Sequence, residues 1–165
     1  MKRREFTIAA LSAAMMGGCA SSKFKSYNGP EVTSIVVKKG ARRMHLLHGD
    51  TVLKSYDVDL GRVPDGPKQF HGDGKTPEGL YRIDRRNPKS SFHLSVGISY
   101  PNTADRAFAE SQGKRPGGDI FIHGQPNRRS SNGRDWTEGC IAVTNREMEE
   151  IYAMVQTGTV IALRP

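Results

Sequence analysis

A succession of short apolar runs, separated by residues that form turns, is the feature that most constrains this fold. The runs cover residues 32–38, 44–48, 51–59, 80–84, 92–99, 119–122, 141–143 and 159–163. Each has the length of a β-strand, and turn residues such as the Gly49-Asp50 pair lie between them. Residues 61–77 contain seven Gly and Pro residues and predict a long loop. Because strands and helices do not alternate along the chain, the sequence predicts a mainly β domain.

One amphipathic helix is specified near the C-terminus. Thr144 followed by Glu147 forms a capping box, and apolar residues at helical spacing come after it. These apolar residues are Met148, Ile151, Tyr152 and Val155. We expect Gly158 to end this helix, and we expect a second, shorter helix over residues 105–112.

The N-terminal residues 1–18 are typical of an export signal. Lys2, Arg3 and Arg4 give a positive start, an apolar run covers residues 7–16, and small residues follow. A membrane-spanning helix needs about 20 apolar residues, so this run is too short to span. The arginine pair resembles a twin-arginine signal, and the alternative is the positive region of any secretory signal.

Cys19 follows this region in a pattern similar to a lipoprotein-processing site. Small residues precede it, so we expect lipidation of Cys19, and ordinary cleavage after Ala20 is the alternative. Residues 19–31 are polar and turn-rich and predict a tether. Residues 32–165 then form one domain. We therefore expect an exported protein of the periplasm or cell envelope that touches a membrane only through its lipid anchor.

The charge of the mature chain indicates an anionic partner outside the cytoplasm. The whole chain carries a formal charge of +8, and loss of three basic residues and one acidic residue with the signal leaves +6. The Lys and Arg residues are scattered and form no nucleic-acid-binding motif, so no nucleic-acid partner is predicted. Anionic wall polymer or a lipid surface suits an exported basic domain.

A single thiol, Cys140, remains in the predicted domain once Cys19 is lipidated or removed. A thiol is a good nucleophile only as the thiolate, so it needs a base nearby. Of the five histidines, His123 is the candidate, because it ends an apolar strand and precedes Gly124, which has no side chain to obstruct a substrate. Gly139 permits a sharp turn in which the backbone N–H groups of Gly139 and Cys140 form an oxyanion hole.

Charged neighbours and simpler alternatives also bear on this pair. The loop between them holds Arg128, Arg129 and Arg134, which would favour a thiolate, whereas Glu138 would oppose it. Taken alone, a histidine after a strand can be a structural residue and a lone cysteine a small core residue. A metal site is not predicted, because one thiol and scattered histidines lack the spacing of metal ligands.

Four segments of the chain have counterparts in a known family. The first two are Ile122-His123-Gly124 and, after a loop, Thr137-Glu138-Gly139-Cys140-Ile141. Residues 76–83 read Thr-Pro-Glu-Gly-Leu-Tyr-Arg-Ile, and residues 99–102 read Ser-Tyr-Pro-Asn. Together these segments resemble the L,D-transpeptidase catalytic domain of the YkuD type, in its YafK-like branch. The resemblance extends over residues 32–163.

The resemblance implies a β-sandwich-like fold with a short helix and one C-terminal-side amphipathic helix. It also implies that Cys140 attacks a stem peptide of peptidoglycan beside diaminopimelate to form a thioester, with His123 as general base and acid. An amine acceptor, or a wall-attached protein, would give transpeptidation, and water would give carboxypeptidase, endopeptidase or amidase activity. Ala142 stands where many family members have Arg or Asn, so both outcomes stay open. No metal or organic cofactor is implied.

Several residues close to these motifs are candidates for binding the stem peptide. They are Tyr100, Asn102, Gly124, Arg134, Trp136 and Thr137. Trp136 would otherwise fill the core, and Arg134 would otherwise be a solvated surface charge. A function of another class is that of an inactive envelope lipoprotein that binds peptidoglycan without chemistry. The presence of both His123 and Cys140 favours the enzyme.

Overall fold

A computed structural model describes residues 22–126 and 133–165 of the chain. The predicted export signal, Cys19, Arg128 and Arg129 lie outside the described residues. None of the helices within the two described ranges is both long enough and apolar enough to cross a membrane.

The described residues form eight strands and two helices. The strands are β1 (Ser34–Lys38), β2 (Arg43–His48), β3 (Thr51–Asp57), β4 (Gly79–Asn87), β5 (Ser95–Ile98), β6 (Phe121–His123), β7 (Ile141–Ala142) and β8 (Val160–Arg164), and the helices are α1 (Thr103–Ser111) and α2 (Asn145–Met154). The mainly β class, the short helix and the C-terminal-side helix are thus confirmed. The predicted strand at 119–122 begins two residues later, because Asp119 adopts a positive φ of 55° that ends extended pairing.

The strands form one curled sheet in the order β3-β2-β1-β8-β4-β5-β6-β7. Neighbouring strands are antiparallel except β1 with β8 and β6 with β7, which are parallel. Side chains alternate in burial along β1 and β2, so that Ile35, Val37, Met44 and Leu46 are buried on one face. The period-2 pattern in the sequence therefore reports a sheet with one covered face.

Strand β4 belongs to both halves of this sheet. Residues 79–82 pair with β8, and residues 83–87 pair with β5, with a shift of register between Ile83 and Arg85. An irregularity of this kind bends a strand and increases its twist. The bend at Ile83 therefore marks the point where the sheet turns from the β1, β2 and β8 half toward the β5, β6 and β7 half.

The chain that follows β3 closes the sheet against β7. Asp59 and Ala142 exchange two backbone hydrogen bonds, of 2.9 and 2.8 Å, as an isolated antiparallel bridge. The Thr137 N–H donates to the carbonyl of Leu60 at 3.1 Å, and the Arg62 N–H donates to the carbonyl of Thr137 at 2.9 Å. Residues on both sides of Cys140 are therefore fastened to a single extended segment.

Helix α2 covers the core with one apolar face. Its N-terminus has the predicted capping box, in which the Thr144 hydroxyl accepts from the Glu147 N–H and the Glu147 carboxylate accepts from the Thr144 N–H. The prediction that Gly158 ends the helix is wrong, because α2 ends at Met154. Val155 adopts an extended conformation and is fully buried. Burial of Val155 in the core therefore ends the helix about one turn before Gly158.

Residues 23–27, which belong to the predicted tether, form no helix or strand but lie against the folded domain. The Lys23 ammonium donates to the carbonyl oxygens of Pro88 at 2.8 Å and His93 at 3.1 Å. The neighbouring contacts are an ion pair between Lys25 and Glu149 at 3.2 Å and a ring contact between Phe24 and Tyr152 at 6.2 Å. This segment is thus docked along α2 and the loop before β5.

Candidate active site

The parallel pairing of β6 with β7 brings His123 and Cys140 to one face of the sheet. Ile122 pairs with Ile141 and His123 with Ala142, so Phe121 and Cys140, one residue earlier on each chain segment, lie side by side. Residues two apart on a strand share a face, and diagonal cross-strand neighbours lie within reach of long side chains. His123 and Cys140 accordingly line the same hollow, together with Phe121.

The hydrogen bonding of His123 fixes the tautomer of its imidazole. His123 Nδ1 lies 2.7 Å from the carbonyl oxygen of Gly124. A carbonyl oxygen only accepts, so Nδ1 carries the proton and the lone pair of the neutral ring stands on Nε2. Burial lowers the pKa of His123, although the Gly124 carbonyl acts in the opposite direction. The resting ring is therefore neutral and able to accept a proton at Nε2.

Aromatic rings hold the imidazole of His123 in place. The ring of Phe92 lies 4.5 Å from the imidazole, centre to centre, and the indole of Trp136 meets it edge-on at 5.7 Å. His123 is only 4% exposed as a result. Trp136 is half-buried and packs against the imidazole, so it does not fill the core, which was the alternative role for this residue.

The thiol of Cys140 is partly exposed and also neutral at rest. Burial raises the pKa of Cys140, which outweighs the opposing effects of the Phe121 N–H and of Lys68 and Arg85. Sγ donates to the carbonyl oxygen of Asp119 at 3.5 Å. The pKa of Cys140 is thus raised, whereas the arginines between His123 and Cys140 were expected to lower it. Activation must therefore come from proton transfer during the reaction.

The turn before Cys140 requires glycine at position 139. Gly139 has a φ of 126°, and a Cβ there would collide with the carbonyl of Lys75. Its N–H donates to Thr137 Oγ1 at 3.1 Å, and that hydroxyl donates to the carbonyl of Cys140 at 2.7 Å. The Gly139 N–H is thus used inside the turn, and its predicted role in an oxyanion hole stays a prediction. The Cys140 N–H bonds to no described residue and stays a candidate.

Thr137, a predicted contact for the stem peptide, has a structural role. It is 4% exposed, and its hydroxyl is engaged at both ends by the turn that carries Cys140. The same holds for Tyr100, also 4% exposed, whose hydroxyl donates to the carbonyl of Pro116 at 2.9 Å. Asn102 caps α1 by accepting from the Asp105 N–H at 3.0 Å. The Thr137 and Tyr100 hydroxyls and the Asn102 side-chain oxygen are thus used within the fold, and contact of these three residues with a stem peptide stays a prediction.

Gly124 and Arg134 also lie away from the thiol. Gly124 is buried, and its N–H donates to the carbonyls of Phe92 and Leu94. Its backbone holds the imidazole but does not line the hollow. Arg134 is exposed and lines a separate hollow with Asp57 and other residues. The structure thus brings together His123, Cys140 and Trp136 of the predicted set.

Two hollows meet at Cys140. The larger has a volume of about 710 Å³ and is lined by residues of the loops around Lys68, His71 and Pro116 and of α1. The smaller has a volume of about 280 Å³ and is lined by Phe92, His123 and residues near them. Cys140 and Asp119 line both. A group bound in either hollow can thus reach the sulfur.

The sequence analysis missed Phe92 and the basic residues of the larger hollow. Phe92 reaches His123 from a loop 31 positions earlier in the chain, so no local pattern joins the two. The sequence gives a better indication that Arg115 is near the site, because the Pro116-Gly117-Gly118 turn after it leads directly into the strand of His123. The described ranges hold no group of three His, Cys, Asp or Glu residues arranged to bind a metal ion.

Comparison with known proteins identifies the family. The model of the YkuD family, the L,D-transpeptidase catalytic domain, matches residues 32–163. The chain belongs to this family. YafK of Escherichia coli (strain K12) is 34% identical over 116 residues, which are 69% of this chain and 41% of YafK. This member of the YkuD family thus spans about two fifths of the length of that relative.

Solved structures share the fold of this YkuD-family domain. The helical cell shape determining protein Pgp2 of Campylobacter jejuni, as a K307A mutant, superposes with a TM-score of 0.64 and 27% identity over 83% of this chain and 48% of Pgp2. Bd1075 of Bdellovibrio bacteriovorus gives a TM-score of 0.55 and 25% identity over 80% of this chain and 47% of Bd1075. The predicted family resemblance and fold are confirmed.

Proposed function

We propose that this chain is a cysteine acyltransferase of the cell wall that acts on peptidoglycan stem peptides, with Cys140 as nucleophile and His123 as general base and acid. One observation carries the proposal: a neutral imidazole, with its lone pair on Nε2, lines the same hollow as a neutral, partly exposed thiol. Membership of the L,D-transpeptidase family supports a peptidoglycan substrate.

The first half-reaction forms a thioester. His123 Nε2 takes the proton from Cys140 Sγ as the sulfur attacks a peptide carbonyl of the stem peptide. The negative charge that develops on the carbonyl oxygen is stabilised by the Cys140 N–H, which bonds to no described residue at rest. The C–N bond then breaks, and the proton on Nε2 passes to the leaving amine. The neutral imidazole is restored.

The second half-reaction resolves the thioester. An amine, or water, attacks the acyl carbon and gives up a proton to His123 Nε2, and the C–S bond breaks. The proton returns from the imidazole to the sulfur. An amine acceptor yields a new peptide bond, as in a cross-link or an attached protein, and this transpeptidation is our proposal. Two hollows that meet at Sγ provide separate access for the acyl donor and the acceptor.

Hydrolysis by the same site is the second candidate. Ala142, the position at which many family members have Arg or Asn, is buried, and its backbone pairs with Asp59. It therefore adds no polar side chain beside the thioester that would select an amine over water. The product distribution consequently depends on which nucleophile reaches the acyl carbon.

The location of the enzyme in the cell is part of the proposal. Residues 1–18 have the composition of an export signal, and Cys19 follows it in a lipoprotein-like pattern. We place the enzyme in the cell envelope, held by lipid on Cys19 and without an organic or metal cofactor. Mass analysis of the mature N-terminus from cells would detect the acylated cysteine, and a mature chain that begins after Ala20 would contradict the anchor.

The enzyme is tested with purified full-length protein, wall fragments and intact-mass analysis. We expect wild type to form an acyl adduct on Cys140 and to change the fragments, and Cys140→Ala to lose at least about a thousandfold in rate. Fragments that gain a peptide partner indicate transpeptidation, and fragments that lose mass indicate hydrolysis. If folded wild type binds the fragments and leaves them unchanged, the chain is an inactive peptidoglycan-binding protein.

A further inference from the structure

The larger hollow contains five charged side chains, and three of them have partners of opposite charge. The three pairs are Lys68 with Asp73 at 2.7 Å, Asp119 with Arg85 at 3.3 Å and Glu138 with Arg62 at 3.0 Å. The Lys68 side chain is 3% exposed, so its ammonium is held by the fold and is closed to a ligand. Each of these charges is therefore at least partly compensated before any substrate arrives.

Arg106 and Arg115 are the other two charged residues of this hollow. Both are exposed, and neither has a carboxylate oxygen of a described residue within 4.0 Å. They come from different elements, since Arg106 lies on α1 and Arg115 lies in the loop that leads to β6. Two guanidinium groups thus line the same hollow as the nucleophile without a partner in the described fold.

Both arginines stand on backbone that is fixed. The carbonyl of Arg115 accepts from the His71 N–H at 2.8 Å, which ties its loop to the opposite wall. Helix α1 is held at its first turn, where Asp105 accepts from the hydroxyl of Tyr81 at 3.0 Å. A site built on fixed backbone loses less conformational entropy when it binds a ligand.

We propose that Arg106 and Arg115 form a subsite for a free carboxylate of the acyl-donor peptide. This inference rests on the proposed function, because it assigns a part of the same substrate. The planar guanidinium group binds carboxylate through two parallel N–H···O bonds, which makes arginine selective for this group. A peptide that reaches Sγ with its scissile carbonyl brings its own carboxylates into the larger hollow. The subsite then rejects stem peptides in which that carboxylate is an amide.

The test compares a stem peptide that has a free C-terminal carboxylate with its carboxamide analogue. For wild type we expect kcat/KM to be about tenfold higher for the carboxylate, which is the usual value of a charge-assisted hydrogen bond. Arg106→Gln and Arg115→Gln should each raise KM for the carboxylate severalfold with kcat within about twofold, and the double variant should lose the preference. Arg115→Lys should keep part of the preference for the carboxylate, because the positive charge remains but the bidentate N–H donors of the guanidinium are lost.

The matched control is Arg146→Gln, which removes an exposed arginine of α2 that lines neither hollow. It should leave KM for both peptides unchanged. The proposal is overturned if the two arginine variants weaken both peptides equally.

A binding measurement separates this inference from the proposed function. Calorimetry with Cys140→Ala protein, which cannot form a thioester, should still show tighter binding of the carboxylate than of the carboxamide. If wild type fails to react but this preference is present, the chemistry is wrong and the subsite stands. If wild type reacts but binding shows no preference, the subsite is wrong and the chemistry stands.

Discussion

The two hollows that meet at Cys140 differ in what lines them. The smaller is walled by the ring of Phe92, by His123 and by serine residues that include Ser95. The larger is lined by charged side chains and by the glycine-rich loop before β6. Both are open to the same sulfur. Apolar rings keep an imidazole neutral, whereas charged side chains recognise a charged ligand, so the two sides of the thiol suit different tasks.

We infer that the smaller hollow performs the chemistry and the larger selects the substrate. Substitutions in the smaller should therefore lower kcat and move its pH dependence, and substitutions in the larger should change KM or stability.

Replacement of the base should have the largest effect. His123→Asn keeps a polar side chain of similar reach but cannot take the thiol proton, so we expect kcat to fall by about 10² to 10⁴. In wild type, kcat should fall as pH decreases only below the usual histidine value of about 6.5, because burial lowers the pKa of His123. The variant should lack this acidic limb. An unchanged pH–rate profile in His123→Asn would show that another group is the base.

Removal of the ring that covers the imidazole should have an intermediate effect. Phe92→Ala exposes His123 to water, so the pKa of His123 should rise toward its ordinary value and the acidic limb of the kcat profile should move to higher pH. We expect kcat to fall by about tenfold as the imidazole loses its position. Phe108→Ala removes an exposed ring on α1 and is the control. A change in KM alone for Phe92→Ala would contradict the assignment of chemistry to the smaller hollow.

The buried ion pair of the larger hollow should affect stability and hardly affect kcat. Asp73→Asn leaves the buried ammonium of Lys68 without its counter-charge, so we expect a loss of about 3 kcal/mol in the free energy of unfolding, measured by urea denaturation, with kcat within about twofold. Burial acts to raise the pKa of Asp73, but bonds from Lys68 and from three backbone N–H groups lower it overall.

The lowered pKa of Asp73 also fixes the pH dependence of that stability. A carboxylate whose pKa is lower in the folded state stabilises the fold above its unfolded pKa of about 4, and the contribution is lost as pH falls through the folded value. The stability difference between wild type and Asp73→Asn should therefore shrink at acidic pH. A difference that stays constant from pH 7 to pH 3 would show that the carboxylate charge is not what stabilises this loop.

The sequence predicted the parts of the fold and site that depend on neighbouring residues. The capping box at Thr144 and a strand within residues 32–38 follow from local sequence, and both are present. The pairing of β6 with β7 brings the motifs that contain His123 and Cys140 together, so that both residues line one hollow. The helix end was misjudged, since burial of Val155 overrides the local preference for a continued turn.

The features that sequence analysis missed depend on contacts between distant parts of the chain. Tyr100 and Asn102 were assigned to the substrate because they lie in a segment that resembles the family's, and the fold uses the Tyr100 hydroxyl and the Asn102 side-chain oxygen internally. Arg106 and Arg115 differ from the other charged residues of the larger hollow in that those residues have partners of opposite charge from distant parts of the chain. Charge pairing of this kind has no signature in a single sequence.

The docked segment before the domain gives the site a mechanical connection. Lys23 is fastened to the carbonyl oxygens of Pro88 and His93, which flank the residues that wall the smaller hollow. Tension applied through the N-terminal segment would load these two bonds before it reached the sheet. If the protein is pulled between an anchor and the wall, the loop that carries Phe92 would be displaced first. Because Phe92 packs against the imidazole of His123, the force would then change the position of that ring.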